Sequence, residues 1–85
     1  MKEFKYVIKD AQGIHARPAG LFVKEAATFP CAVTICKGDK EVDAKRIFGV
    51  MGLCAKCGEE VVIRTDGEKE EEAIEVLGRF MEENL

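Results

Sequence analysis

Apolar and polar residues alternate near the start of the chain with the period of a β-strand. Residues 4–9 place aromatic and aliphatic side chains on one side and lysines on the other, as in a strand with one face in water. Three further stretches, rich in valine and isoleucine or short and bounded by turn residues, predict strands over 31–36, 40–43 and 60–65. The turn at 37–39 joins the second and third strands as a hairpin.

Three other segments repeat their apolar residues every three to four positions, which is the period of a helix. From Ala16 onward one helical face is apolar, and the helix is expected to end near residues 29–30. Residues 47–53 predict a short, strongly apolar helix. Residues 69–83 predict an amphipathic helix whose acidic first turn complements the helix dipole. The order β-α-β-β-α-β-α indicates an α+β fold, an antiparallel sheet with helices on one face, and leaves the strand pairing open.

The length of 85 residues allows one domain, spanning 1–85, with little room for a deep cleft. An active group in so small a domain is expected on the surface. The first ten residues contain no uninterrupted apolar run, and no stretch approaches the roughly 18 apolar residues of a membrane helix. These features predict a cytoplasmic protein without membrane insertion, in which the four cysteines are reduced.

The net charge of −3 is unevenly distributed. Residues 66–85 carry eight acids and two bases, whereas residues 1–65 carry eleven bases and eight acids. A mildly basic body favours an acidic protein partner, because nucleic-acid binding usually needs a denser stripe of lysine and arginine. We therefore expect no nucleic acid among the partners.

The only histidine, His15, lies where a loop meets the start of the first helix. A helix amino terminus has unpaired N–H groups and a partial positive charge, so it binds anions. A phosphoryl group on His15 would lie against the backbone amides of Ala16 and Arg17, and the Arg17 guanidinium suits phosphate oxygens. Gly13 would permit a tight turn before the histidine, and Pro18 is compatible with the first helical turn.

Histidine suits a phosphoryl relay because neutral imidazole is available as a nucleophile near pH 7. Its phosphoramidate is also labile enough to pass the group onward. A single histidine is, however, more often a surface or capping residue than a reactive one. The surrounding Gly-x-His-x-Arg-Pro pattern favours the reactive interpretation.

Several segments resemble the HPr family, the histidine-containing phosphocarriers of the phosphoenolpyruvate-dependent sugar phosphotransferase system. They are GIHARPA at 13–19, FVKEA at 22–26, the apolar positions of 47–53, and the final amphipathic helix. The resemblance implies an open-faced β-sandwich, with a four-stranded antiparallel sheet covered on one face by three helices. It implies that His15 receives phosphate on Nδ1 from phospho-enzyme I and delivers it to enzyme IIA domains, with Arg17 stabilising the phosphate. Such a carrier has no turnover of its own and needs no cofactor.

The resemblance also implies a partner-binding surface. Lys24 would help to dock acidic partners, although a solvated helix lysine is nearly as good an interpretation. Ile47, Phe48 and Met51 would form an exposed patch, although each could instead belong to the core. Arg46 stands where many Gram-positive members have a regulatory serine, and the chain contains no serine. We therefore predict a carrier without the serine switch, and a monomer.

Four cysteines leave a further interpretation open. Cys54 and Cys57 have the spacing of a zinc knuckle or a redox pair. Cys31 and Cys36 would lie about 16 Å apart on opposite faces of one strand, which argues against a single four-cysteine metal site. No metal is therefore assigned. The alternatives to the phosphocarrier are an HPr-like regulatory module acting through the 47/48/51 patch, and a cysteine-based metal or redox domain.

Overall fold

The computed structural model describes residues 1–85 and contains the seven predicted elements in the predicted order. The strands are β1 (Lys2–Val7), β2 (Ala32–Lys37), β3 (Lys40–Asp43) and β4 (Glu60–Asp66). The helices are α1 (Ala16–Ala27), α2 (Ile47–Gly52) and α3 (Glu70–Asn84). No helix is both long enough and apolar enough to cross a membrane.

The four strands form one antiparallel sheet in the order β1-β4-β2-β3. The strand β4 is central, with Phe4 of β1 and Ile35 of β2 both opposite Ile63. The hairpin predicted at 37–39 joins β2 and β3, in which Lys37 is opposite Lys40. The sheet order, which the sequence pattern leaves open, therefore places the first strand at one edge and the third at the other.

Three helices cover one face of this sheet, and a single core lies between the two layers. Its largest fully buried side chains include Phe22 of α1, Leu77 and Met81 of α3, and Ile63 of β4. The other face is polar and open, and there Arg64 bridges Glu3 and Glu41 at 2.8 and 3.2 Å. The predicted open-faced β-sandwich is confirmed.

The short helix α2 separates into a buried side and an exposed side. Val50 and, just after the helix, Leu53 are fully buried. Phe48 is 87% exposed and Met51 38% exposed, whereas Ile47 is half-buried and packs against the core. Of the three residues expected in the patch, Phe48 and Met51 are exposed, whereas Ile47 is only in part exposed to solvent and packs against the core.

Candidate functional site

The loop before α1 is held in place by a close approach between two stretches of backbone. Gly13 has φ +67°, in the left-handed region that favours glycine. A β-carbon at this position would lie 2.3 Å from the main-chain oxygen of Ala55. The next residue, Ile14, donates its amide to that same oxygen at 2.9 Å. Only glycine allows residue 13 to lie this close to the loop that follows α2.

Asp10 fixes the other end of the same loop. Its carboxylate accepts the amide of Gln12 at 2.8 Å, and its carbonyl accepts the amide of Gly13 at 2.9 Å. The amides of Lys9 and Asp10 both donate to the main-chain oxygen of Leu85, at 2.6 and 2.8 Å. Backbone bonds on both sides therefore determine the path of the chain into His15.

His15 is the N-cap residue of α1 and has extended backbone angles, φ −119° and ψ 179°. Its side chain makes no capping hydrogen bond and is 37% exposed. Its Nε2 lies 3.9 Å from a carboxylate oxygen of Asp10. Because this distance exceeds a hydrogen bond, Asp10 faces the ring without engaging either nitrogen.

A shallow depression of about 180 Å³ opens at the histidine. Its lining combines residues from 10–21 of the chain with one residue from the end of α3: Asp10, His15, Arg17, Pro18, Leu21 and Asn84. Neither Asp10 nor Asn84 is a predicted site residue. The pattern at Asp10 indicates only a turn, and nothing in the sequence places the end of α3 beside the start of α1. The depression is open to solvent, in line with the expectation that so small a domain holds its active group at the surface.

The amino end of α1 is electrostatically uncovered. The first turn contains no acidic residue, and the amides of Ala16 and Arg17 have no hydrogen-bond acceptor within the chain. The Arg17 side chain is exposed and makes no ion pair. Two free N–H groups and the positive end of a twelve-residue helix therefore lie beside His15, and Arg17 lines the same depression. This arrangement can bind and stabilise a dianion attached to His15.

A mixed basic and apolar surface continues from this site. Arg17, Leu21 and Lys24 are exposed and follow one another at the three- and four-residue spacing of a single helix face. The helices α1 and α2 pack together, so exposed Phe48 and Met51 belong to the same layer of the molecule. The structure thus leaves Lys24 in solvent, as predicted, and adds Leu21 to the surface.

Arg46 occupies the N-cap position of α2, but its side chain makes no capping hydrogen bond. Its guanidinium is exposed and lies 3.7 Å from the carboxylate of Asp43. Its carbonyl accepts the amide of Val50 at 3.1 Å. The position where the resemblance places a regulatory serine is therefore an exposed helix start occupied by a cation.

The cysteines are four free thiols in three environments. Cys31 is buried in the core, whereas Cys36 is buried on the open face between Arg64 and Glu41. Burial raises the pKa of the Cys36 thiol, and the Arg64 charge partly opposes this. Cys54 and Cys57 are exposed in the loop after α2. No three metal-ligating side chains of the histidine, cysteine, aspartate or glutamate types come together anywhere in the chain.

Comparison with known proteins gives a consistent result. The family model PTS-HPr, described as the PTS HPr component phosphorylation site, matches residues 2–83. The phosphocarrier protein HPr of Mycoplasma capricolum is 37% identical over 81 residues, covering 95% of this chain and 91% of that protein. A solved structure of a Mycoplasma histidine-containing phosphocarrier protein has a TM-score of 0.94 and 35% identity, covering 96% and 93% of the two chains.

A second kind of relative is also similar over the whole chain. Crh of Bacillus subtilis, described as a catabolite repression protein, is 40% identical in its crystal structure. The match has a TM-score of 0.79 and covers 100% of this chain and 98% of that one, which is described as a dimer with a swapped domain. The chain is therefore similar both to proteins described as phosphocarriers and to an HPr-like protein described by its part in catabolite repression.

Proposed function

Because the chain belongs to the HPr family, we propose that it carries a phosphoryl group on His15 between two other proteins. The donor in this proposal is phospho-enzyme I, and the acceptors are enzyme IIA domains of sugar permeases. The protein acts as a covalent intermediate and has no independent turnover. The single observation that carries the proposal is the imidazole of His15 beside the two free amides at the start of α1.

In the proposed transfer, a nitrogen of neutral His15 attacks the phosphorus of the donor phosphohistidine. The new N–P bond forms as the donor's N–P bond breaks, and the donor ring leaves with the electron pair of that bond. The carboxylate of Asp10 faces Nε2 at 3.9 Å and would repel a phosphoryl group there. This favours Nδ1 as the nucleophile, in agreement with the family resemblance.

After transfer, the phosphoryl oxygens would accept hydrogen bonds from the amides of Ala16 and Arg17. The guanidinium of Arg17 supplies a charge-assisted hydrogen bond that strengthens as negative charge develops. Removal of one such donor typically slows a transfer by about a hundredfold. Arg17 is thus assigned to stabilising the phosphate and His15 to accepting it.

The test is incubation of the purified protein with enzyme I and phosphoenolpyruvate labelled on phosphorus. We expect one label per chain, labile to acid and stable to alkali, and no label in His15→Ala. The matched control is Arg17→Lys, which retains the charge and loses the planar fork, and it should be labelled more slowly than the unmodified chain. Absence of label with an enzyme I that phosphorylates another HPr would overturn the proposal.

The proposed docking surface consists of Arg17, Leu21 and Lys24 of α1 with Phe48 and Met51 of α2. Exposed apolar side chains rimmed by basic ones suit an acidic partner with an apolar centre. Half-buried Ile47 would shape this surface, and Arg46 would add charge at its edge. We propose that the protein works as a monomer, since a monomer leaves the surface open to successive partners. Light scattering at working concentration tests that point.

The similarity to Crh favours one second candidate, a regulatory module that acts by binding through Phe48 and Met51. A serine-based switch is not part of either proposal, because Arg46 occupies the expected position and the chain has no serine. Incubation with ATP and an HPr kinase should therefore leave the chain unmodified. Tight binding of a partner by a chain that enzyme I cannot label would favour the regulatory candidate.

A further inference from the structure

The loop between α2 and β4 contains two exposed thiols that phosphoryl transfer does not use. Cys54 and Cys57 are separated only by Ala55 and Lys56, and both are open to solvent. The other two cysteines are buried, one in the core and one under the open-face ion pairs. Any reagent in solution therefore meets this pair first.

This loop touches the segment that leads into His15 at four points, one of which is the Ile8 amide donating to the Glu59 oxygen at 3.0 Å. The Ala55 oxygen accepts the amide of Ile14 at 2.9 Å, and the Gly58 amide donates to the Ile8 oxygen at 2.8 Å. Between them, the thiol of Cys57 donates to the main-chain oxygen of Lys9 at 3.6 Å. The cysteine loop therefore braces residues 8–14 from one end to the other.

The loop also lies directly against Gly13 of that segment. A β-carbon on Gly13 would lie 2.3 Å from the Ala55 oxygen and 2.8 Å from the α-carbon of Lys56. Cys54 itself has φ +53°, a backbone conformation that residues other than glycine and asparagine rarely adopt. The loop thus has a left-handed residue at Cys54, and Ala55 and Lys56 leave no room for a side chain at Gly13.

We propose that Cys54 and Cys57 form a redox-sensitive site whose oxidation to a disulfide slows phosphoryl transfer at His15. The oxidant is a small-molecule disulfide such as oxidised glutathione. One protein thiolate attacks it and releases one thiolate, and the second protein thiolate then displaces the other. The protein loses two hydrogens and two electrons, and two molecules of the small thiol are formed. No metal is needed, and the two sulfurs fall short of the four ligands of a structural zinc site.

The effect on the histidine follows from the geometry of the closed ring. A disulfide holds its two α-carbons within about 4.4–6.8 Å, so the loop must adopt the path that this distance allows. Ala55 and Lys56 lie inside the ring and against Gly13, so their displacement moves the histidine loop. Oxidation also removes the S–H that Cys57 donates to Lys9. The slower transfer rests on the proposed function, whereas the disulfide and the loop movement do not.

The test compares the chain treated with oxidised glutathione with the same chain reduced by dithiothreitol. We expect peptide mapping to find a Cys54–Cys57 disulfide, and the backbone amide NMR signals of Gly13 and Ile14 to shift. The rate of labelling by enzyme I should fall by roughly tenfold, because small misplacements of a reacting group are costly. Dithiothreitol should restore the signals and the rate.

Matched variants separate this site from the other thiols. Cys57→Ser keeps a donor toward Lys9, and Cys54→Gly suits the left-handed backbone, so both should fold. Each retains one exposed thiol and stops at a mixed disulfide with glutathione, so neither should show the Gly13 and Ile14 signal shifts of the closed ring. Failure to form the Cys54–Cys57 disulfide, or a disulfide that leaves the Gly13 and Ile14 signals in place, overturns the proposal. An oxidised chain labelled as fast as the reduced one also overturns it and leaves the phosphocarrier function standing. If even the reduced chain takes no label, the phosphocarrier function fails, and the NMR shifts alone decide the redox site.

Discussion

Helices α1 and α3 begin in opposite electrostatic states. In α3, Glu70, Glu71 and Glu72 fill the first turn, and the Glu70 carboxylate accepts the Gly67 amide at 3.0 Å. The same carboxylate lies 2.7 Å from the amino group of Met1. In α1 the first turn has no acid, and the N-cap side chain of His15 makes no capping bond. A helix end neutralised by its own residues stabilises the fold, whereas one left uncovered remains available to an incoming anion.

The largest effect is expected from a substitution that displaces the start of α1. Gly13→Ala should lower the free energy of unfolding by about 3 kcal/mol, because the new β-carbon meets the Ala55 backbone and φ is positive. It should also slow labelling of His15. Gly20→Ala is the control within α1, since nothing lies within 4 Å of its β-carbon, and it should stabilise by about 0.5–1 kcal/mol. Equal denaturation midpoints for the two variants in urea would contradict this account.

A smaller change gives α1 the acidic start of α3. Ala16→Glu places a carboxylate in the exposed first turn, where it should stabilise the helix by about 0.5 kcal/mol. The same charge repels the phosphoryl group, and labelling by enzyme I should slow about tenfold, equivalent to about 1.4 kcal/mol. Ala16→Gln has nearly the same shape without the charge and should label at the original rate. A glutamate variant as fast as the glutamine variant would show that the uncovered helix end is irrelevant to transfer.

The backbone at the start of α3 offers a third test. Lys69, its N-cap, has φ +64°, so its side chain is held in the left-handed region. Lys69→Gly should raise the free energy of unfolding by about 1 kcal/mol, since the strain is removed. Glu68→Gly, one residue earlier at a position with ordinary φ, should have no such benefit. The pair can be compared by thermal unfolding, and a less stable Lys69→Gly chain would refute the assignment of strain.

The smallest expected effect is a pH dependence confined to α3. The hydrogen bond from the Met1 amino group, followed by that from the Gly67 amide, lowers the pKa of Glu70 below its ordinary value. A carboxyl with a lowered folded-state pKa stabilises the protein above its unfolded pKa of about 4.3, and this contribution is lost as the pH falls through the folded value. The Tm of the unmodified chain should therefore exceed that of Glu70→Gln at neutral pH, and this difference should shrink as the pH falls from about 5 to about 3. A constant difference across that range would remove Glu70 from this role.

Much of this fold follows from local patterns, because each element has a period of its own. The predicted strand over 60–65 and the two predicted long helices lie close to their observed bounds. The pairing of strands was not predictable, since an alternating strand does not encode its neighbour. That choice depends on how the complete sheet buries its apolar face.

The candidate site divides in the same way. His15, Ala16 and Arg17 were predictable because they are consecutive and begin a helix. Asn84 and the loop around Ala55 reach the site through tertiary contacts. Asp10 reaches it through the turn before His15, and its sequence pattern predicts that turn but not the approach to the ring. The half-buried position of Ile47 likewise reflects the angle at which α2 packs, which the composition of a short apolar helix does not determine.

The sheet order has a consequence for the chain during its synthesis. The first strand, β1, pairs only with β4, so that Lys2 is opposite Thr65. At about 5–20 residues per second, a ribosome takes roughly 3 to 12 seconds to make the intervening residues. Until then β1 has no strand to pair with, and the backbone bonds that anchor Lys9 and Asp10 wait longer still, for Leu85. The loop that presents His15 can therefore reach its final form only after nearly the whole domain has left the ribosome.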